Sequence, residues 1–122
     1  MKILYIEDNR ADWVYLGRLV HQIDPSIEIL NVTSLNEANE FLKEHSFDLI
    51  FLDCFLVDSI DLENTLTFIK THASFPILLL TGLEDVSSVY KCMQAGAKDF
   101  ISKSKMNKDH IERWIHYVRA KS

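Results

Sequence analysis

Leu49-Ile50-Phe51-Leu52-Asp53 is the stretch that decides the fold. Four consecutive apolar side chains are too few for a helix, and a carboxylate halts them, so the run reads as a strand buried on both faces. The same pattern recurs upstream in Ile3-Leu4-Tyr5-Ile6, stopped by Glu7-Asp8. It recurs downstream in Ile77-Leu78-Leu79-Leu80, opened by Pro76 and stopped by Thr81-Gly82. Ile27 to Val32 alternates as a less buried strand, and Phe100-Ile101 belongs to a short fifth one. Between these runs the apolar spacing turns helical. Trp13, Leu16, Leu19, Val20 and Ile23 mark a helix from about Asp12 that Asp24-Pro25 ends. Ser34 with Glu37 forms a capping box before Leu35, Ala38, Phe41 and Leu42. Leu62, Leu66 and Ile69 mark a third helix. Val86, Val89, Tyr90 and Met93 mark a fourth, with Gly96 just past its end, and Ile111, Trp114, Ile115 and Val118 mark a fifth. Strand and helix alternate five times, which argues for a parallel sheet covered on both faces by right-handed crossovers. The expected architecture is a doubly wound α/β sandwich, (βα)5, with a five-stranded parallel sheet in the order 2-1-3-4-5.

The whole sequence supports one domain over residues 1–122: 122 residues are enough for a real core, and no Pro/Gly-rich linker or internal repeat divides them. Two cysteines far apart, Cys54 and Cys92, form neither a disulfide framework nor a zinc ribbon. The apolar start is too short for a signal peptide or a membrane span, so the cytoplasm is the expected compartment and no membrane partner is expected. The net charge of -5 argues against a dedicated nucleic-acid binder. That charge is uneven: residues 98–122 hold seven bases and three acids, which reads as a solvated helix face or a docking surface. Gly-x-Gly-x-x-Gly is missing after the first strand, as is any Gly-Lys-Ser/Thr, which excludes nucleotide binding by those routes.

Ligands of open α/β sheets bind beyond the carboxyl ends of the strands. There the first strand carries Glu7-Asp8, the third Asp53, the fourth Thr81, and the fifth reaches Lys103. The order 2-1-3 sets Asp8 beside Asp53 at the switch point. Three crowded carboxylates repel and call for a cation, and hard oxygen donors suit Mg2+. A lysine and a hydroxyl beside them suit a phosphoryl group in transfer onto a carboxylate. Each residue alone has a plain alternative, such as a solvated turn, a cap or a surface lysine; their joint placement at neighbouring strand ends favours the site. His21, His45, His72, His110 and His116 show no metal-like spacing and read as surface residues, and Cys54 reads as a small buried side chain.

With Ile6-Glu7-Asp8-Asn9, Leu52-Asp53, Leu80-Thr81-Gly82 and Ala95-Gly96-Ala97-Lys98-Asp99-Phe100-Ile101-Ser102-Lys103 in this order, the sequence resembles the receiver domain of bacterial two-component response regulators. The resemblance covers nearly the whole chain. It implies a phosphoacceptor domain, not a dedicated enzyme, in which Asp53 takes a phosphoryl group from a sensor histidine kinase or a histidine phosphotransfer protein. Glu7, Asp8, Asp53 and the backbone carbonyl of Phe55 would hold Mg2+, and Lys103 would pair with the phosphoryl oxygens. Thr81 and Phe100 would act as the switch pair. The implied output is a protein–protein surface around Tyr90, Lys98, Phe100 and Trp114, on the fourth helix, fifth strand and fifth helix. It would face a downstream protein or an attached output domain, with a phosphorylation-dependent homodimer left open. By the same resemblance Phe55 and Leu83 flank the path of the hydrolytic water, and two bulky side chains without hydrogen-bonding groups would lengthen the phosphorylated state.

The sequence also departs from the family. Val57 stands where receivers usually carry Pro, Asp61 where they carry Gly, and Ser104 follows Lys103 in place of Pro. The last change leaves the Lys103-Ser104 bond either trans or in a costly non-proline cis form, which bears on the reach of Lys103. A haloacid-dehalogenase-like phosphatase also forms an aspartyl phosphate at a strand end, but needs an acid two residues later, where this chain has Phe55. A receiver that binds partners without phosphorylation is disfavoured by the complete set of acids.

Overall fold

The computed structural model describes residues 1–54, 62–82 and 86–121. Five strands, β1 (Lys2–Ile6), β2 (Glu28–Val32), β3 (Leu49–Asp53), β4 (Ile77–Thr81) and β5 (Asp99–Ser102), alternate with five helices. These are α1 (Arg10–Ile23), α2 (Leu35–Glu44), α3 (Leu62–Thr71), α4 (Val86–Ala95) and α5 (Lys108–Lys121), with a 3-10 turn over Lys103–Lys105. All four strand pairs are parallel and the order is β2-β1-β3-β4-β5. The doubly wound expectation holds. β3 and β4 are buried along their whole length, which is why their sequences run apolar without alternation.

Successive side chains of each strand feed opposite faces. Ile3, Tyr5, Leu49, Phe51, Leu78 and Leu80 meet Leu16, Leu19, Ile111, Ile115 and Val118 of α1 and α5. Leu4, Ile6, Ile50, Leu52, Ile77 and Leu79 meet Ala38, Phe68, Ile69 and Cys92 of α2, α3 and α4. Each buried Leu or Ile contributes roughly 1.5–3 kcal/mol, so the two cores dominate the stability.

Local signals explain most boundaries. Ser34 caps α2, its Oγ accepting from the Glu37 N–H at 3.1 Å, while the Glu37 carboxylate reaches back to the Thr33 N–H at 2.7 Å. Gly96 follows α4 with φ +132, a conformation that favours glycine, and an added Cβ would crowd the Ala73 Cβ at 3.0 Å. Three expectations need correction. First, α1 starts at Arg10, because Asn9 and not a later residue is its cap. Second, Val89 and Cys92 are the buried residues of α4; Val86, at 79% exposure, and Tyr90 lie on its outer face, one turn apart. Third, His72 and His110 are half-buried, and so is Cys54. His72 lies between α2 and α3, its Nε2 2.8 Å from Asn39 Oδ1, and burial holds its pKa below the ordinary value. Val57 and Asp61 lie outside the described residues. Among the described residues, no helix is long and apolar enough to cross a membrane.

Candidate functional site

β1 and β3 are adjacent, with Ile6 in register with Leu52, so the residues that follow them emerge side by side. The turn after β1 is held by its backbone. The Glu7 N–H donates to the Val32 carbonyl at 2.9 Å, and Asn31 Nδ2 lies within 3.1 Å of both the Tyr5 and Glu7 carbonyls. Glu7 is fully buried, Asp53 is 4% exposed and Asp8 faces solvent. One carboxylate oxygen from each of Glu7, Asp8 and Asp53 lies within 4.8 Å of the others.

Lys103 reaches this cluster from the end of β5. No peptide bond among the described residues is cis, so the Lys103-Ser104 bond is trans. The 3-10 turn still delivers the ammonium: buried Met106 closes it, donating its N–H to the Lys103 carbonyl at 3.4 Å. Lys103 Nζ lies 2.7 Å from Glu7 Oε1, 2.8 Å from Asp12 Oδ2 and 3.4 Å from Asp53 Oδ2. Burial alone would lower the lysine pKa. Hydrogen bonds to Asp12 and Glu7, with the charges of Asp53 and Glu7, overcome that and hold it above the ordinary value. Glu7 is pushed up by its burial and by the hydrogen bond and charge of Asp53, with Lys103 opposing. The Tyr5 hydroxyl donates to Glu7 Oε1 at 2.9 Å; desolvation first, then the Glu7 charge, keeps that phenol protonated.

The structure therefore brings Glu7, Asp8, Asp53 and Lys103 together. Thr81 is buried at the adjacent end of β4, and its hydroxyl donates to the Ile101 carbonyl at 3.4 Å, toward β5. Phe100 is half-exposed on β5, its side chain outside both cores. Phe55 and Leu83 lie outside the described residues. Two members of the site were missed in the sequence. Tyr5 reads as one apolar residue in a strand, yet it shares the face of Glu7 two positions on. Asp12 stands in the first turn of α1, where the Asn9 cap would have located it. The cysteines also meet: Cys54 hydrogen-bonds Cys92 and thereby lowers its thiol pKa. A hollow of about 1130 Å³ between α2 and α3 lies away from the carboxylates.

A doubly wound sheet with acids at its switch point and a lysine from the last strand defines a phosphoacceptor class of domain. Residues 3–115 match the response regulator receiver domain family, and the chain belongs to it. It is 32% identical over 127 residues to the cell cycle transcriptional regulator CtrA of Caulobacter vibrioides, covering 100% of this chain and 52% of CtrA. It is 29% identical over 124 residues to the transcriptional regulatory protein PhoP of Escherichia coli (strain K12), covering 98% of this chain and 51% of PhoP. The chain thus spans about half the length of these two regulators. A two-component response regulator from Clostridium difficile superposes with a TM-score of 0.83 at 20% identity, over 98% of this chain and 96% of that one. A CheY-like receiver domain protein from Methanospirillum hungatei gives 0.81 at 19% identity, over 98% and 94%. The chain is a receiver domain of the two-component signalling type.

Proposed function

We propose that Asp53 is the phosphoacceptor and that phosphorylation switches a protein-binding surface. One observation carries this reading: a nearly buried carboxylate at the end of the central strand, 3.4 Å from an ammonium and grouped with two further acids. An Asp53 oxygen attacks the phosphorus of a phosphohistidine. The new P–O bond forms as the P–N bond breaks, and the departing imidazole keeps the electron pair and takes a proton. Lys103 stabilises charge on the transferred oxygens, and burial strengthens that interaction by excluding water.

The three grouped carboxylates are hard oxygen donors with room left for water and a phosphoryl oxygen, so the donor set fits Mg2+. Asp8 would be a direct ligand, with Glu7 acting through water and Asp53 and the Phe55 carbonyl completing the protein donors. Mg2+ would supply charge neutralisation for the incoming phosphoryl group. Thr81 would turn its hydroxyl from Ile101 to the phosphoryl oxygens, and Phe100 would move inward after it. Exposed Tyr90, Lys98 and Phe100, with half-buried Trp114, supply the surface on α4, β5 and α5. A sensor histidine kinase or phosphotransfer protein is the donor in this reading. A downstream protein or output domain is the receiver of the signal, in the cytoplasm. Phe55 and Leu83 lengthen the phosphorylated state, so Phe55→Asn with Leu83→Glu speeds phosphate loss.

The test is intact mass after incubation with a small acyl phosphate and Mg2+. Wild type gains the mass of one phosphoryl group and Asp53→Asn gains none. Stoichiometric labelling of Asp53→Asn would refute the assignment.

A further inference from the structure

We propose that Asp12 is the positioning residue of Lys103, aiming its ammonium at the phosphoryl site on Asp53. The inference rests on the reading of Asp53 as the phosphoacceptor. Lys103 pairs with three carboxylates, Glu7, Asp12 and Asp53, and these divide into two sets. Glu7, Asp8 and Asp53 approach one another closely enough to share a cation, whereas Asp12 is not part of that group. The shortest contacts of Lys103 are with Glu7 and Asp12, not with Asp53. Asp12 therefore serves the lysine and not the metal trio.

The geometry of an ammonium gives this pairing a consequence. Lys103 has three N–H donors arranged tetrahedrally. The hydrogen bond to Asp12 Oδ2 at 2.8 Å takes one of them, and the ion pairs with Glu7 Oε1 at 2.7 Å and Asp53 Oδ2 at 3.4 Å hold the ammonium between Asp12 and the phosphoryl site. With Glu7 as its single anchor the ammonium could pivot, because the lysine side chain is partly open to solvent. The chain needs such an anchor. Ser104 follows Lys103, so no proline ring stiffens the turn, and the Ser102–Ser104 hydroxyl contact at 2.8 Å is exposed. On its own side, the Asp12 backbone is tied to the helix cap. Asn9 Oδ1 accepts from the Asp12 N–H at 3.0 Å and sets the first turn of α1 over the strand ends.

A plainer role also exists, since an acid in a first helical turn favours the helix dipole. The experiment separates the two. Lysine ammonium 1H–15N spectra of the full chain, with Lys103→Arg for assignment, report whether the Nζ hydrogens are held. The Lys103 signal is expected in wild type and in Asp12→Glu, and lost by solvent exchange in Asp12→Asn. The rate of phosphorylation by a small acyl phosphate with saturating Mg2+ should fall about 3- to 10-fold in Asp12→Asn, the cost of misplacing one group, and recover in Asp12→Glu. Mg2+ affinity by calorimetry should stay within about 2-fold, as for a charge outside the coordination shell. A surviving Lys103 signal or an unchanged rate in Asp12→Asn overturns the proposal. A faster rate overturns it by making Asp12 a competitor for the lysine, and lost Mg2+ binding by making it a ligand. If wild type takes no phosphoryl group, the reading of Asp53 fails, while the spectra still decide whether Asp12 holds Lys103.

Discussion

The two ends of the sheet handle charge in opposite ways. At the amino-terminal end, Arg119 Nη2 lies 2.6 Å from Asp24 Oδ2, and Ser26 donates its N–H and hydroxyl to Asp24 Oδ1 at 2.9 and 2.7 Å. That acid is matched, and its pKa is held well below the carboxylate range, by Ser26 first and Arg119 next. At the carboxyl-terminal end, Lys103 pairs with Glu7, Asp12 and Asp53, Asp8 crowds against Glu7 and Asp53, and Glu7 is driven the other way by burial. Matched charges tie α1 to α5. Mismatched charges leave an excess of negative charge that a cation can relieve, and that imbalance gives the second end its chemistry.

Exchanging the loss of one cation between the two ends should have the largest effect. Lys103→Met is expected to slow phosphorylation by acyl phosphate about 10²-fold, comparable to losing one donor to a developing oxyanion. Arg119→Met should leave the rate unchanged, and equal slowing in both variants would dissolve the distinction. Acids come next. Asp8→Asn should raise the metal-free melting temperature by relieving repulsion, by about 1 kcal/mol or less for an exposed group. It should also abolish the stabilisation that wild type gains from Mg2+, which is about 1.4 kcal/mol at ten times Kd. Thermal melts with and without Mg2+ check both.

Asp24→Asn should act with the opposite sign and lower the melting temperature at pH 7. A depressed carboxylate contributes stability above its unfolded pKa and loses it as pH falls through the folded one. The gap between wild type and Asp24→Asn should therefore close only below the usual carboxylate range, and a gap that is flat with pH would contradict the pairing. The smallest effect lies away from both ends. His72 is held neutral by burial, so wild type should lose stability as pH falls through the ordinary histidine value of about 6.5. His72→Gln, which can still donate to Asn39, should flatten that slope in melts between about pH 7.5 and 5.5.

Much of the molecule was legible in order. Apolar runs of four residues ended by acids or threonine, and a shorter one followed by Lys103, specify buried parallel strands and place those terminators at one edge, because strand and helix periodicities are local properties of the chain. Glu7, Asp8, Asp53 and Lys103 could be named on that basis. The second helix was capped as Ser34 and Glu37 indicate, with one arm moved to Thr33.

Directions of side chains were a different matter. Nothing in the spacing of Val86 and Tyr90 says that α4 turns them outward; the burial of Val89 and Cys92 against the sheet decides that. The trans link at Lys103-Ser104 still brings the ammonium to Glu7, because the 3-10 turn and buried Met106 set the path. Asp12 entered the pocket because Asn9 caps α1 so that it starts at Arg10, ahead of its apolar stripe. Which acids gather at the strand ends was thus written in the order of residues. Which of them holds the lysine and which group together as hard donors was decided by packing, because hydrogen-bond partners 91 residues apart meet only when sheet and helices close around them.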